Sequence, residues 1–200
     1  MERLEDKNTG NDFFLLMAGV IVVFFSTIAF GRNIIWKNNL TLWGDASDKS
    51  PFKARPYNDI GIAYIAAGKT DEALEIFKTA LKFAPGNAVL HNNMGSAYYK
   101  QGRLAEAGEE YAMAVRQRPY FEDARNNLGY VYYLAGRYED AIREYRIALK
   151  TKPLFIKARY NLALAYKKKG LKKEATEEFE GILKVFPGDA GVLKEMESLR

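Results

Sequence analysis

Residues 126–136 read NNLGYVYYLAG. Two adjacent asparagines and a glycine are poor helix formers, the glycine alone costing roughly 0.8–1 kcal/mol against alanine. If this stretch is helical, something other than intrinsic propensity placed them. The answer is a period. A step of 34 residues from Gly129 meets Gly95 and Gly61 on one side and Ala163 on the other. The same step links Gly68, Gly102, Gly136 and Gly170, and Pro85, Pro119, Pro153 and Pro187. Tyr64, Tyr98, Tyr132 and Tyr166 keep time with Ala73, Ala107, Ala141 and Ala175, and an aromatic recurs at Phe77, Tyr111, Tyr145 and Phe179.

A strict period of this length marks stacked supersecondary units. Each unit reads as a helix-turn-helix. The first helix carries an apolar residue, a small residue and a tyrosine at i, i+1 and i+4, as in Leu128, Gly129 and Tyr132. The small residue lets a second helix approach, and Ala141 is its small counterpart on that helix. The glycine after the first helix can take the left-handed conformation that ends it. The proline stops the second helix, because its ring cannot continue the hydrogen-bond ladder. Gly129 is thus expected to be a packing residue. Four copies run without insertion over 54–87, 88–121, 122–155 and 156–189.

This pattern resembles the tetratricopeptide repeat, whose signature is carried by Tyr57, Ile60, Gly61, Tyr64, Ala73, Phe77, Ala80, Pro85 and their counterparts. The resemblance implies an all-α, right-handed superhelical solenoid with a concave groove that binds proteins or extended peptides. Two departures fall in the fourth copy, where Ala163 replaces glycine and Ile182 stands in the place of Ala80, Ala114 and Ala148; the last interface is expected to pack differently. Residues 190–200 resemble a terminal capping helix, with Glu195, Glu197 and Arg200 available to solvate the end of the stack.

The asparagines repeat as well. Asn127 shares its phase with Asp59, Asn93 and Asn161, and Asn126 with Asn58 and Asn92, while Tyr160 breaks the second row. At about 100° per residue, Asn127, Tyr130 and Leu134 fall on a face away from the Leu-Gly-Tyr set, the face that lines the groove when helix pairs stack. Two readings stand side by side. The asparagines cap or solvate the helix and persist through duplication, or they form an amide ladder offering a donor and an acceptor to a peptide main chain. Such a ladder holds substrate peptide in the O-linked N-acetylglucosamine transferase family, and the matching residues here are Asn93, Asn127 and Asn161, with Asp59 as the departure. On the ladder reading, these sites are exposed and alanine there leaves the fold intact. The two-carboxylate clamp of other members of the repeat family has Lys157 in place, but Asn161 stands where arginine is wanted and Ile62 where asparagine is.

Little else carries chemistry. The chain of 200 residues has no cysteine, which excludes disulfides, thiolate metal sites and cysteine nucleophiles. A net charge of +5, spread diffusely, does not point to nucleic acid. No phosphate loop, GxSxG or metal-ligand spacing is present, so no catalytic residue, cofactor or metal is expected and the chain reads as a non-enzyme. Glu109–Glu110 and Glu177–Glu178 read as surface carboxylates without a histidine partner, His91 as a packed residue, and the run Lys167, Lys168, Lys169, Lys172 and Lys173 as solvated helix ends.

Before the repeats lie a 12-residue flank and residues 13–30 (FFLLMAGVIVVFFSTIAF), 18 residues without a charge. As a helix this run spans about 27 Å, close to the hydrocarbon thickness. The acidic flank argues against a cleaved signal peptide, so a single-pass membrane anchor is expected. The linker, 31–53, carries Trp36 and Trp43 at positions suited to the interfacial belt. It also resembles the junction between the last membrane helix and the repeats of polytopic O-mannosyltransferase-type glycosyltransferases, through Arg32, Asn33, Trp36, Leu42, Trp43, Asp45, Lys49, Ser50, Pro51 and Arg55. That resemblance implies an alternative, a substrate-binding tail of a membrane glycosyltransferase or its partner, with the repeats on the periplasmic or lumenal side. The flanking charges lean weakly toward a cytoplasmic C-terminus.

Overall fold

The computed structural model describes residues 54–199, and everything described is helix or turn. The order is α1 (Ala54–Ala66), α2 (Thr70–Phe83), α3 (Ala88–Lys100), α4 (Leu104–Gln117), α5 (Glu122–Leu134), α6 (Tyr138–Thr151), α7 (Ile156–Lys168), α8 (Lys172–Leu183) and α9 (Ala190–Glu197). Each odd-numbered helix up to α7 packs on the helix after it, and each even-numbered helix then packs on the next pair. The odd-numbered helices also touch across repeats, α1 with α3 and α5 with α7, whereas the even-numbered ones do so with no comparable closeness. The odd-numbered helices therefore form the tighter, inner layer of the stack.

Both turns follow from the repeated residues. Gly68, Gly102, Gly136 and Gly170 have φ of 74 to 77°, the left-handed region that costs glycine nothing. The residue after each glycine donates its N–H to the carbonyl of the repeated tyrosine, for example Arg137 to Tyr132 at 2.9 Å, closing the Schellman pattern. At the other turn, Ala84, Arg118 and Lys152 precede proline and sit at φ near −135° (−136, −135 and −132°). The proline ring disfavours the α region for the residue before it, so the helix stops there. In the fourth copy this turn differs: α8 ends at Leu183 and Lys184 stays αR.

The core is a file of aromatic rings. Phe77, Tyr111, Tyr145 and Phe179 are essentially sealed from solvent, each beside a sealed alanine of its own helix, Ala73, Ala107, Ala141 and Ala175. Gly129 is a packing residue because a Cβ there would stand 2.7 Å from Cε1 of Tyr145. Gly95 meets Tyr111 at 2.8 Å in the same way. Ala163, Phe179 and Ile182 form a cluster with Val192 and Leu199, while Leu162 and Ala165 pack with Ala141, Ile142 and Tyr145, so the fourth copy shares its core with the terminal helix on one side and the third copy on the other.

That terminal helix is fastened by charges read from the sequence as solvated. Asp189 caps it by accepting from Val192 N–H at 3.0 Å. Lys167 Nζ reaches Glu195 at 2.6 Å and Ser198 Oγ at 2.6 Å, and Lys172 Nζ donates to the Leu199 carbonyl at 2.9 Å. Lys169 pairs with Glu139 of the preceding repeat at 2.8 Å. Three of the five lysines in the run thus hold the last repeat between its neighbours, and Glu195 joins them instead of only facing water. Among the described residues no helix is long and apolar enough to cross a membrane. The apolar run at 13–30, the linker at 31–53 with its junction resemblance, and Arg200 lie outside the described residues.

Candidate peptide-binding groove

The asparagine rows fall on the inner helices α1, α3, α5 and α7. Their side chains join into one continuous chain of hydrogen bonds. Asn161 Nδ2 donates to Asn126 Oδ1 (2.9 Å), Asn126 Nδ2 to Asn127 Oδ1 (3.3 Å), and Asn127 Nδ2 to Asn92 Oδ1 (3.0 Å). The chain continues from Asn92 to Asn93 (3.2 Å), Asn93 to Asn58 (2.7 Å), and Asn58 to Asp59 Oδ1 (3.3 Å). Links within a helix alternate with links across 35 residues to the previous repeat.

Asp59 sets the direction of this chain. A carboxylate only accepts, so Asn58 must turn its N–H₂ toward Asp59 and keep its oxygen for Asn93. The same constraint propagates to Asn161. The aspartate that departs from the asparagine pattern is therefore its terminator. At the opposite end, Tyr160 occupies the place of Asn58, Asn92 and Asn126, so no asparagine of its own repeat donates to Asn161 Oδ1.

This arrangement corrects the expectation of exposed, independent amides. Asn92, Asn126 and Asn161 are buried, Asn126 almost completely at 1% exposure, and Asn58, Asp59, Asn93 and Asn127 are half-buried. Asn93, Asn127 and Asn161 each tie one repeat to the one before it, so alanine there would cut bonds between repeats. A structural role does not exhaust them, because an asparagine side chain has two N–H donors and two lone pairs. The chain uses one of each at Asn127.

A cavity of about 490 Å³ opens over the middle of this chain. At its base lie Asn126, Asn161, Tyr111 and Ser96, with Tyr111 Oη donating to Ser96 Oγ at 3.2 Å. Asn127 and Tyr130 also line it, and the exposed Tyr99, Lys100 and Lys157 stand at its mouth. Tyr99 meets Tyr130 edge-on at 5.8 Å, and Tyr130 stacks on Tyr133 at 6.3 Å with planes 9° apart. Tyr133 in turn meets Tyr138 at 5.6 Å. A row of phenol rings thus runs beside a row of amides. Rings and amides together offer flat apolar faces and main-chain hydrogen-bond partners, the two things an extended polypeptide can use. Among the described residues no group of three or more His, Cys, Asp or Glu side chains is placed to hold a metal ion.

A second repeated constellation escaped the sequence reading. His91, Arg125 and Arg159 share one phase of the repeat, and Glu110, Glu144 and Glu178 share another. Each cation spans its own helix pair: His91 Nδ1 meets Glu110 Oε2 at 2.7 Å, Arg125 pairs with Glu144, and Arg159 meets Glu178 at 2.9 Å. Each also bonds the carbonyl of the preceding repeated proline, Pro85, Pro119 or Pro153. Glu110 and Glu178 are therefore not free surface carboxylates, and Glu110 does have a histidine partner. The signal was available in the 34-residue spacing of these charges, had the charged positions been compared as the apolar ones were. Both ring nitrogens of His91 face obligate acceptors, so the doubly protonated ring fits best. The Glu110 carboxylate accordingly raises its pKa, assisted by the Pro85 carbonyl and opposed by burial.

Family models for the tetratricopeptide repeat match residues 64–126, 129–170 and 156–189. The chain belongs to the tetratricopeptide-repeat family. The crystal structure of MamA is similar at 26% identity and a TM-score of 0.65, over 74% of this chain and 81% of that one. PilF of Pseudomonas aeruginosa shows 26% identity and a TM-score of 0.67 over 73% of this chain and 67% of its own. YrrB, a tetratricopeptide-repeat protein with an unusual peptide-binding site, shares the fold at 20% identity and a TM-score of 0.68, over 81% and 84% of the two chains. No curated protein matches the chain. In this chain the inner face of the repeat fold carries the amide chain and the tyrosine row.

Proposed function

We propose that this tetratricopeptide-repeat array is a non-catalytic scaffold that holds an extended segment of a protein partner in its concave groove, tethered to a membrane through residues 13–30 with the repeats on the extracytoplasmic side. The observation that carries the binding role is the cavity over the amide chain. Evenly spaced main-chain partners along Asn127 and its neighbours suit a strand-like ligand, and Tyr99 and Tyr130 supply the apolar contact that main-chain bonds alone lack. Membrane tethering rests on the uncharged run and its flanking tryptophans.

Selection of a randomised dodecapeptide display library on the full chain, kept in a nonionic detergent, tests the groove. Selected peptides should compete with one another and lose about tenfold or more in affinity on Tyr130→Ala, a loss of contact area with little structural consequence at a half-buried site. Peptides that bind equally well to the Tyr130→Ala chain would place the binding surface elsewhere.

A further inference from the structure

The two edges of the stack are unlike. Successive helices run in opposite directions, so the turns inside repeats gather on one edge and the turns between repeats on the other. On the first edge the cations are neutralised by their neighbours: Arg103 by Glu106, Arg137 by Asp140, and Lys169 by Glu139. The second edge leaves its own unpaired. Lys82, Arg116, Lys150 and Lys184 share one phase of the repeat, all four are exposed, and among the described residues none forms an ion pair. Two turns add a further cation laid on an aromatic ring, Arg118 over Phe121 at 3.6 Å and Lys152 over Phe155 at 4.9 Å. This edge also holds the most exposed large apolar side chains among the described residues, Leu154 at 74%, Tyr120 at 69% and Phe186 at 51%. They stand at the tips of three consecutive turns, where no helix of the array covers them.

Unpaired cations interleaved with exposed aromatic and aliphatic groups suit a bilayer interface. There phosphates take the charges and the acyl boundary takes the apolar groups. The path of the chain agrees. Helix α1 begins at Ala54 on this edge, so the linker from residues 13–30 joins the array here and not at the opposite edge. Acids are fewer at this edge: Glu122 and Asp123 start α5, Glu180 lies in the last turn of α8, and Asp189 is occupied in capping α9. We infer that the edge between repeats rests on the anionic phospholipid surface of the membrane that holds residues 13–30. Tyr120, Leu154 and Phe186 enter the headgroup layer, and the cations beside them meet lipid phosphates. This rests on the tether proposed above and adds an orientation to it. The concave face, formed by the sides of the odd-numbered helices, stays clear of the bilayer.

The chain lacks cysteine, so one introduced thiol carries one label. Full-length Leu154→Cys and Leu134→Cys chains, labelled with nitrobenzoxadiazole, place it on the docking edge and on the opposite edge, both at exposed sites. Each is reconstituted in phosphatidylcholine vesicles with or without phosphatidylglycerol, with headgroup-nitroxide lipid as quencher. The label at 154 should be quenched strongly with phosphatidylglycerol and weakly without it, and the label at 134 in neither. Arg118→Gln, Lys152→Gln and Lys184→Gln together should lower the docked-to-undocked ratio by roughly a hundredfold, since each cation near an anionic leaflet contributes about fivefold. All three sites are exposed, and helical content by circular dichroism should be unchanged. A chain that carbonate strips from the vesicles would remove the tether and this orientation with it. A carbonate-resistant chain whose label at 154 is quenched no more than that at 134 would keep the tether and overturn the orientation. Quenching indifferent to phosphatidylglycerol and to the three neutralisations would show that the cations do not hold the edge to lipid, and would overturn it as well. A label at 154 that is shielded from water yet unquenched would assign the edge to a protein, such as a second copy of this chain, in place of the membrane.

Discussion

Asn126→Ala separates a structural amide chain from a row of solvated asparagines. By propensity alone the change should help, since alanine is the better helix former by several tenths of a kcal/mol. The structure predicts the opposite. Asn126 accepts from Asn161 Nδ2 at 2.9 Å and donates to Asn127 Oδ1 at 3.3 Å, with its side chain sealed from water. Alanine leaves the Asn161 donor buried without a partner, at about 1–3 kcal/mol. It also removes the weaker bond to Asn127, whose half-exposed oxygen can turn to water for a small loss. Set against the helix gain, the net cost is about 1–3 kcal/mol, or roughly 2–12 °C in Tm for a domain of this size. Thermal unfolding by circular dichroism measures it. Because repeats are stabilised through their neighbours, hydrogen exchange should speed up first in α5 and α7. An Asn126→Ala chain that melts at or above the parent temperature would refute the reasoning and return the asparagines to a solvated role.

Gly129→Leu should cost on the order of 1–3 kcal/mol, since even the first added carbon meets the Tyr145 ring, and an unchanged melt would show the helix pair to be looser than described. Tyr145→Phe should be neutral to about 1 kcal/mol stabilising: among the described residues the Tyr145 hydroxyl is buried without a partner, and the same position is Phe77 and Phe179 in the first and fourth copies; destabilisation would point to a hidden hydrogen bond. For His91 the folded pKa is raised by Glu110, so its stabilising contribution is full below the unfolded value of about 6.5 and is lost as pH rises through the higher folded value. His91→Arg, which copies Arg125 and Arg159, should flatten stability above that point, and the NMR titration of this single histidine checks the shift.

The 34-residue spacing made the helices and their turns legible because it records packing in residue type: small beside aromatic, glycine where φ is positive, proline where the helix must stop. The fourth copy was legible as an exception for the same reason, and Ile182 does pack with the terminal helix. The asparagines were legible as a row but not as a chain. Hydrogen bonds 35 residues apart combine two positions of the repeat, Asn127 with Asn92 and Asn93 with Asn58, and a comparison of each position only with its own counterparts does not reveal them. Asp59 looked like decay of the pattern until its acceptor-only chemistry was seen to end the chain. Lys167 and Glu195 were unreadable for a different cause: the terminal helix keeps the phase, starting 34 residues after α7, but its residues depart from the repeat, with Glu195 in the place of Asn161, so the repeated positions do not say where its charges land.

The most direct measurement of the central claim is the NMR spectrum of the asparagine side-chain N–H₂ groups as a peptide selected from the library is titrated in. Among the described residues every asparagine except Asn87, which caps α3, belongs to the amide chain, and none lies on the outer helices α2, α4, α6 and α8. The account predicts that the Asn127 and Asn161 pairs shift with the ring signals of Tyr99 and Tyr130, while the outer helices stay still. Shifts confined to α4 or α6, with the amide signals unmoved, would contradict it.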